Sequence, residues 1–215
     1  MRLALLAFAA LLASVAAAQA HPHVWVTSVS KIAYDAQGRV TGVQQDWTFD
    51  DMFSSFATQG LDKDGDGKLS KEELQPLAQT NVESLKEFEY FTFAKLGGKK
   101  LLFKEPINYW LDNTNNILTL HFFLPLSTPQ HQGQKALAVE IYDPTYYVDF
   151  AMADKDPAAL AGAPQGCTLN VIRPNAPDQT QVADAVKLDQ EYFRALDANK
   201  NFGEKFANHI LVNCP

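Results

Sequence analysis

The sequence predicts an α+β fold, mainly an antiparallel β-sandwich with one inserted helix–loop–helix. Three observations predict it. From residue 24 onward most segments alternate apolar and polar side chains with a period of two, bounded by Gly, Asn and Asp turns. Between about residues 51 and 89 the period becomes helical on both sides of a twelve-residue acidic loop. The two cysteines, Cys167 and Cys214, lie late in the chain beside apolar β-type runs.

The first twenty residues read as a secretory signal. Arg2 supplies a short positive region, Leu3 to Val15 an apolar run, and Ala18-Gln19-Ala20 a signal-peptidase site. The run is too short and Ala-rich for a membrane span. Cleavage after Ala20 would leave residues 21–215 as a single β-rich domain with its insert at about 51–89. No second apolar stretch reaches spanning length, so an exported chain that is not an integral membrane protein is expected. Its size is small for the two-lobed clamshell of an ordinary solute-binding protein. The formal charge is −7 and becomes one unit more negative without Arg2. That balance argues against nucleic acid as a partner.

The strands follow in order. Val24, Val26 and Ser28 alternate with Trp25, Thr27 and Val29; the turn Asp35–Gly38 and the run Val40–Phe49 complete a long hairpin. Phe53, Phe56, Ala57 and Leu61 then share one helical face. After the acidic loop, Leu74, Leu77, Ala78, Val82, Leu85 and Phe88 share another. Pro76 lies inside this second helix, and its ring and missing N–H predict a kink or break there. The β pattern returns at Tyr90, with a Gly97-Gly98 hairpin. A second hairpin is predicted around Asn113–Asn116. Further strands are predicted in "ALAVEIYD", "YYVDFAM", "CTLNVI" and "HILVNC". Val182 to Leu196 has helical spacing.

The acidic loop is "DKDGDGKLSKEE", Asp62 to Glu73. It fits D-x-[DN]-x-[DN]-G-x5-E at every position, the pattern of an EF-hand calcium loop. Asp62, Asp64 and Asp66 stand at positions 1, 3 and 5, and Gly67 at the sharp turn. Lys68 would offer its carbonyl, Ser70 its side chain directly or through water, and Glu73 both carboxylate oxygens. Ca²⁺ takes six to eight such oxygens. Ser70 and Glu73 also form an S-x-x-E capping box, which starts the exiting helix. Asp197 to Phe202 begins like a second loop but puts Phe202 where Gly is required, and reads as a turn. The expected cofactor is one Ca²⁺ with a mainly structural role.

His21 and His23 follow the cleavage site directly. Cleavage would give His21 a free α-amine beside its imidazole, as in the histidine brace of exported copper proteins. Pro22 lacks the N–H that the common amino-terminal copper and nickel motif deprotonates. In an extended segment His23 points to the same side as His21. Amine and imidazoles would suit Ni²⁺, Zn²⁺ or Cu²⁺. The alternative is an exposed histidine pair stiffened by Pro22. His121, alone in a β-run, reads as a core or edge residue. Asp50, Asp51, Asp143 and Asp149 lie at strand ends, as ligands or as turn and cap residues. Cys167 and Cys214 predict one disulfide, closing about 47 residues and contributing roughly 4 kcal/mol by chain entropy; free thiols are the alternative.

"HPHVWV" after the signal, "WTFDDMFS" before the loop, "YFT", "DPTYYVDF" and the late Cys pair occur in that order. Together they resemble a bacterial periplasmic family of unknown function. That family is labelled as a periplasmic component of an uncharacterised ABC-type transport system. The resemblance implies a metal-handling role beside a nickel/cobalt-type membrane permease, and supplies no catalytic residues. The expected function is thus an exported, periplasmic calcium-binding protein, an accessory to a membrane metal transporter of nickel, cobalt or zinc type. The alternatives are a calcium-stabilised interaction module without transition metal, and a copper enzyme using the histidine brace. No catalytic signature among the common hydrolase, metalloprotease, Walker or dinucleotide motifs is present.

Overall fold

The computed structural model describes residues 22–174 and 201–215. The predicted signal segment, His21 and the predicted helix Val182–Leu196 lie outside these residues.

Eleven strands form two sheets among the described residues. Their ranges are β1 Val24–Tyr34, β2 Arg39–Phe49, β3 Thr92–Leu96, β4 Lys99–Leu101, β5 Ile107–Thr114 and β6 Ile117–His131. The rest are β7 Leu137–Ile141, β8 Val148–Met152, β9 Ala158–Ala161, β10 Thr168–Ile172 and β11 Asn208–Asn213. The first sheet has the order β5-β6-β2-β1-β8, with β9 continuing along β1 beyond β8. The second has the order β10-β11-β7-β3-β4.

The hairpin β1–β2 forms because both strands alternate. Every even-numbered residue of β1 from Val24 to Tyr34 is buried. Asn115 and Asn116 take positive φ, 54° and 64°, and close the β5–β6 hairpin; asparagine is among the residues that tolerate this region best. The Cys167–Cys214 disulfide is formed, and its strands β10 and β11 pair antiparallel. Two pairings depart from the antiparallel expectation: β8 and β9 both run parallel to β1. The long connection from β1 to β8 makes this possible, since parallel neighbours need a crossover rather than a tight turn.

The two sheets share one hydrophobic core. Trp47 is 1% exposed and meets Phe122 and Phe150 edge-on, each with ring centroids 4.8 Å apart. A polar thread crosses the same core. Gln45 accepts from Ser30 Oγ (2.6 Å) and donates to Thr92 Oγ1 (3.1 Å), so β1, β2 and β3 are joined without an unpaired amide.

Between β2 and β3 lie helix α1, Asp51–Ala57, and helix α2, Lys71–Ser84. Asp50 caps α1, accepting from Phe53 N at 2.8 Å. Leu74, Ala78 and Val82 are the buried face of α2. The helix runs through Pro76 without the expected break. Pro76 and Glu72 are both on the exposed side, where water can take up the carbonyl that Pro leaves unbonded. The helical path ends instead at Leu85–Phe91. There Glu89, Tyr90 and Phe91 have φ of 52°, 56° and 46°, and β3 begins at Thr92 rather than Tyr90. Tyr90 and Phe91 are buried, and Phe91 O accepts from Tyr142 N, which holds this strained turn in place. No helix among the described residues is long and apolar enough to cross a membrane.

Gly42 is required by a close approach. A Cβ there would stand 2.5 Å from Leu124 O and 2.9 Å from Pro125 Cα on the neighbouring strand. Gly42→Ala is expected to cost about 1–3 kcal/mol by overpacking, read as a lower urea midpoint at unchanged slope.

Candidate metal-binding sites

The acidic loop bridges α1 and α2. One oxygen from each of Asp62, Asp64 and Asp66 lies within 4.8 Å of the others. The loop's amides set this arrangement. Asp62 accepts from Gly65 N (2.7 Å) and Gly67 N (3.0 Å), Asp64 from Asp66 N (3.2 Å), and Asp66 from Lys68 N (2.7 Å). Gly67 has φ +79°, the left-handed turn that its loop position demands.

Glu73 closes the loop from the first turn of α2. Its Oε1 accepts from Lys63 N (2.7 Å), and its Oε2 from Ser70 N and Ser70 Oγ (both 2.9 Å). Ser70 Oγ accepts in turn from Glu73 N, completing the predicted capping box. The bonds from Ser70 and Lys63 N–H hold the Glu73 carboxyl down to a pKa of about 2. Three carboxylates that converge within one loop, with a fourth kept ionised at the loop's end, are a donor set suited to a hard divalent cation. Glu73 reaches back ten residues to Lys63, so the first and last parts of the loop are tied by side chain as well as by backbone.

The histidine pair is divided by the limits of the described residues. His23 is exposed just before β1; its N donates to Tyr147 O at 2.9 Å, and its ring stacks on Tyr147 at 4.7 Å. Trp25 pairs with Asp149 across the parallel β1–β8 ladder. Burial pushes the Asp149 carboxyl above its usual range. Of the other strand-end acids, Asp143 is 2% exposed and holds its own turn. It accepts from Thr145 N and Oγ1, Tyr147 N and Val148 N, all at 2.8–2.9 Å. Asp50 accepts from both Phe53 N and Trp25 N, so it is a cap that also anchors the start of β1. From the rejected second loop, Asn201 donates to Tyr142 Oη at 2.7 Å.

One cluster was not legible as a site in the sequence. His121 on β6 lies between two carboxylates from flanking strands. Its Nδ1 is 2.7 Å from Asp46 Oδ1 on β2, and its Nε2 is 2.9 Å from Asp112 Oδ2 on β5. Trp110 stacks on the imidazole at 4.6 Å with only 12° between planes. A shallow cleft of about 380 Å³ adjoins them, with Lys31, Gln44 and Phe123 on its walls. Burial opposes charge on His121, but its bonds to Asp46 and Asp112 outweigh that and raise its pKa. For Asp46, burial likewise opposes ionisation, and the bonds from His121 and Gln44 prevail and lower it. Both ring nitrogens are spent on carboxylates, so His121 serves as a clamp across three strands, and the two carboxylates favour its protonated form. Cross-strand register alone brings these residues together: Asp46 faces His121, which faces Trp110.

A family model described as "Protein of unknown function (DUF1007)" matches residues 6–214. An uncharacterized protein of Haemophilus influenzae is 28% identical over 195 residues, covering 91% of each chain. An uncharacterized 15.5 kDa protein of Spirochaeta aurantia, named for the trpE 3' region, is 33% identical over 99 residues. That match covers 46% of this chain and 70% of the relative.

The clamp makes a pH-dependent contribution with a definite sign. Because the His121 pKa is raised, its share is complete below the ordinary imidazole range and is lost as pH rises through the folded value. Because the Asp46 pKa is lowered, its share is lost only as pH falls through its own folded value. The stability gap between wild type and His121→Gln should therefore be widest at roughly pH 4.5–6.5 and narrow on the alkaline side. Thermal unfolding at a series of pH values measures it; parallel profiles for the two proteins would show that the clamp carries no charge.

Proposed function

The chain belongs to the DUF1007 family of proteins of unknown function, and from that premise we propose an exported, periplasmic calcium-binding protein that serves as an accessory to a membrane metal transporter. One observation carries the calcium half of this reading: the converging carboxylates of Asp62, Asp64 and Asp66, with Glu73 held ionised at the loop's end. The ligands would be these four side chains, the Lys68 carbonyl, and Ser70 directly or through water. The ion neutralises part of the four-carboxylate repulsion and fixes the angle between α1 and α2. Since the capping box already starts α2, the ion's role is structural. The disulfide between Cys167 and Cys214 fits an oxidising compartment.

The transition-metal half rests on His21 and His23. Signal cleavage after Ala20 would set the α-amine and imidazole of His21 near the exposed ring of His23, a nitrogen set for Ni²⁺, Zn²⁺ or Cu²⁺. A nickel, cobalt or zinc permease is the corresponding membrane partner. A second reading, a calcium-stabilised interaction module without transition metal, is favoured by the outer side of α1. There Met52 and Phe56, one helical turn apart, are 63% and 74% exposed.

Calorimetric titration with Ca²⁺ should give one site, with an affinity in the range of roughly 10⁻⁴–10⁻³ M typical of exported modules. Glu73→Gln, which keeps shape but loses charge, should weaken it by about tenfold or more. Indistinguishable heats from the two proteins would remove the site.

Metal analysis of protein carrying its native cleaved terminus tests the other half. About one equivalent of nickel, zinc or copper is expected, lost in His21→Ala and reduced in His23→Ala. Calcium as the sole bound metal would instead select the interaction module.

A further inference from the structure

The cleft of about 380 Å³ beside His121 lies on the outer face of the first sheet. Two adjacent rungs of the strand ladder build it. One sets Lys31 opposite Gln44 and Gln44 opposite Phe123; the next sets Asp46 opposite His121 and His121 opposite Trp110. The rung beyond is kept low by Gly42, which stands between Ala33 and Pro125. A Cβ there would be 2.7 Å from Phe123 Cζ, so the Phe123 ring lies against the glycine. The polar groups are fixed before any ligand arrives. His121 is held between Asp46 and Asp112, Trp110 stacks on it, and Gln44 donates to Asp46 Oδ1 and Gln45 O, both at 3.2 Å. Side chains locked in this way on strands form a preorganised wall.

What these bonds leave unspent limits the ligand. Asp46 Oδ2 and Gln44 Oε1 accept from no group among the described residues, and the exposed Lys31 ammonium makes no hydrogen bond or ion pair there. The Asp46 side chain is 35% exposed, so a molecule in the cleft can reach it. The charges balance: Lys31 and protonated His121 stand against Asp46 and Asp112, so a ligand with net charge would find no net counter-charge to offset its desolvation. An ammonium placed at Asp46 would also be repelled by His121 beside it, which disfavours a zwitterion. A hydroxyl both donates and accepts, and so suits unspent groups of either kind. The C–H bonds of a sugar ring suit the negative faces of aromatic rings. An apolar cavity of about 150 Å³ holds benzene, so this cleft has room for a body about twice that size, or roughly one sugar ring. We propose that the cleft binds one ring of a neutral pyranose sugar, whose hydroxyls bond to Lys31, Gln44 and Asp46 and whose C–H face packs on the aromatic walls. This site is separate from the acidic loop and from the N-terminal histidines, and does not depend on either holding a metal.

The test uses the full exported chain, labelled with ¹⁵N. The probes are the methyl β-glycosides of glucose, galactose and N-acetylglucosamine, with leucine as the zwitterionic control. The indole N–H of Trp110 is assigned among the three tryptophans by its absence in Trp110→Phe. At least one glycoside is expected to shift the Trp110 indole and Gln44 side-chain resonances saturably. Lys31→Met keeps the stem and loses the donor. It should weaken that binding by about five- to tenfold, the usual worth of one hydrogen bond, with little change in thermal unfolding, since Lys31 is exposed. Resonances that stay fixed with every glycoside at its highest soluble concentration would overturn the proposal. Shifts with leucine and with no glycoside would overturn it in favour of an amino-acid site. Glycoside binding undiminished in Lys31→Met would overturn it as well, since the sugar would then sit outside this cleft.

Discussion

The packing of Trp47 is the constraint on which the rest of the molecule depends. Its indole stands at the middle of β2, with Phe122 of β6 and Phe150 of β8 against its faces and edges and Phe91 6.3 Å away at the start of the second sheet. Three strands of one sheet and the entry to the other thus meet on one side chain. A large aromatic at that point fixes which residues of β1, β2 and β6 face inward, because a slip of one residue would turn every side chain over. The outward positions follow from the same choice. Asp46 and His121 face out because Trp47, Leu120 and Phe122 face in. The clamp on the outer surface is therefore a by-product of the core's register, with the ionic groups placed where water can still reach them.

Asp50 carries this order from the sheet into the helical insert. One of its oxygens accepts from Trp25 N at the start of β1 and the other from Phe53 N at the start of α1. Asp50 N in turn donates to Trp25 O. A second tie lies midway along α1, where Ser54 Oγ accepts from Leu118 N of β6 at 3.1 Å. The bond from Leu118 N is buried and that from Phe53 N half-buried, so water competes poorly for them. The insert consequently enters at a fixed angle, and the acidic loop projects from a rigid base. The start of β1, which leads back to the histidines, is fixed by the same carboxylate.

What was legible in the sequence divides along a physical line. The acidic loop could be read residue by residue because its geometry is local: each carboxylate bonds to amides two to ten residues away. The hairpins could be read because alternation and turn chemistry are also local, as at Asn115-Asn116. The disulfide could be read because few pairings exist for two cysteines. The parallel placement of β8 and β9 against β1 could not, since it depends on a crossover of more than a hundred residues. The His121 clamp was missed for the same reason: Asp46 lies 75 residues away, and only register joins them. Pro76 was misjudged because its position on the exposed face of α2, which makes it tolerable, is decided by packing. The left-handed turn at Glu89–Phe91 leaves no glycine to mark it; it is imposed by burial of Tyr90 and Phe91.

The loop's own bonds bear on whether an ion bound there would be structural or a switch. A switching loop must rearrange when its ion leaves, and that requires carboxylates with nothing else to bind. Here each carboxylate already accepts from the loop's amides, and Glu73 also holds Lys63 N and the Ser70 cap. Each carboxylate oxygen has two lone pairs, so one can keep its N–H while the other turns to a cation. An arriving ion would then find its ligands preplaced and would not have to order the segment, and the ends of α1 and α2 would scarcely move. Population shift needs a ligand that distinguishes two conformations, and a loop whose carboxylates are already held by its own amides would offer a bound ion little to distinguish. The same local bonds that make the loop readable in the sequence therefore argue that an ion bound there would stiffen the molecule rather than signal through it.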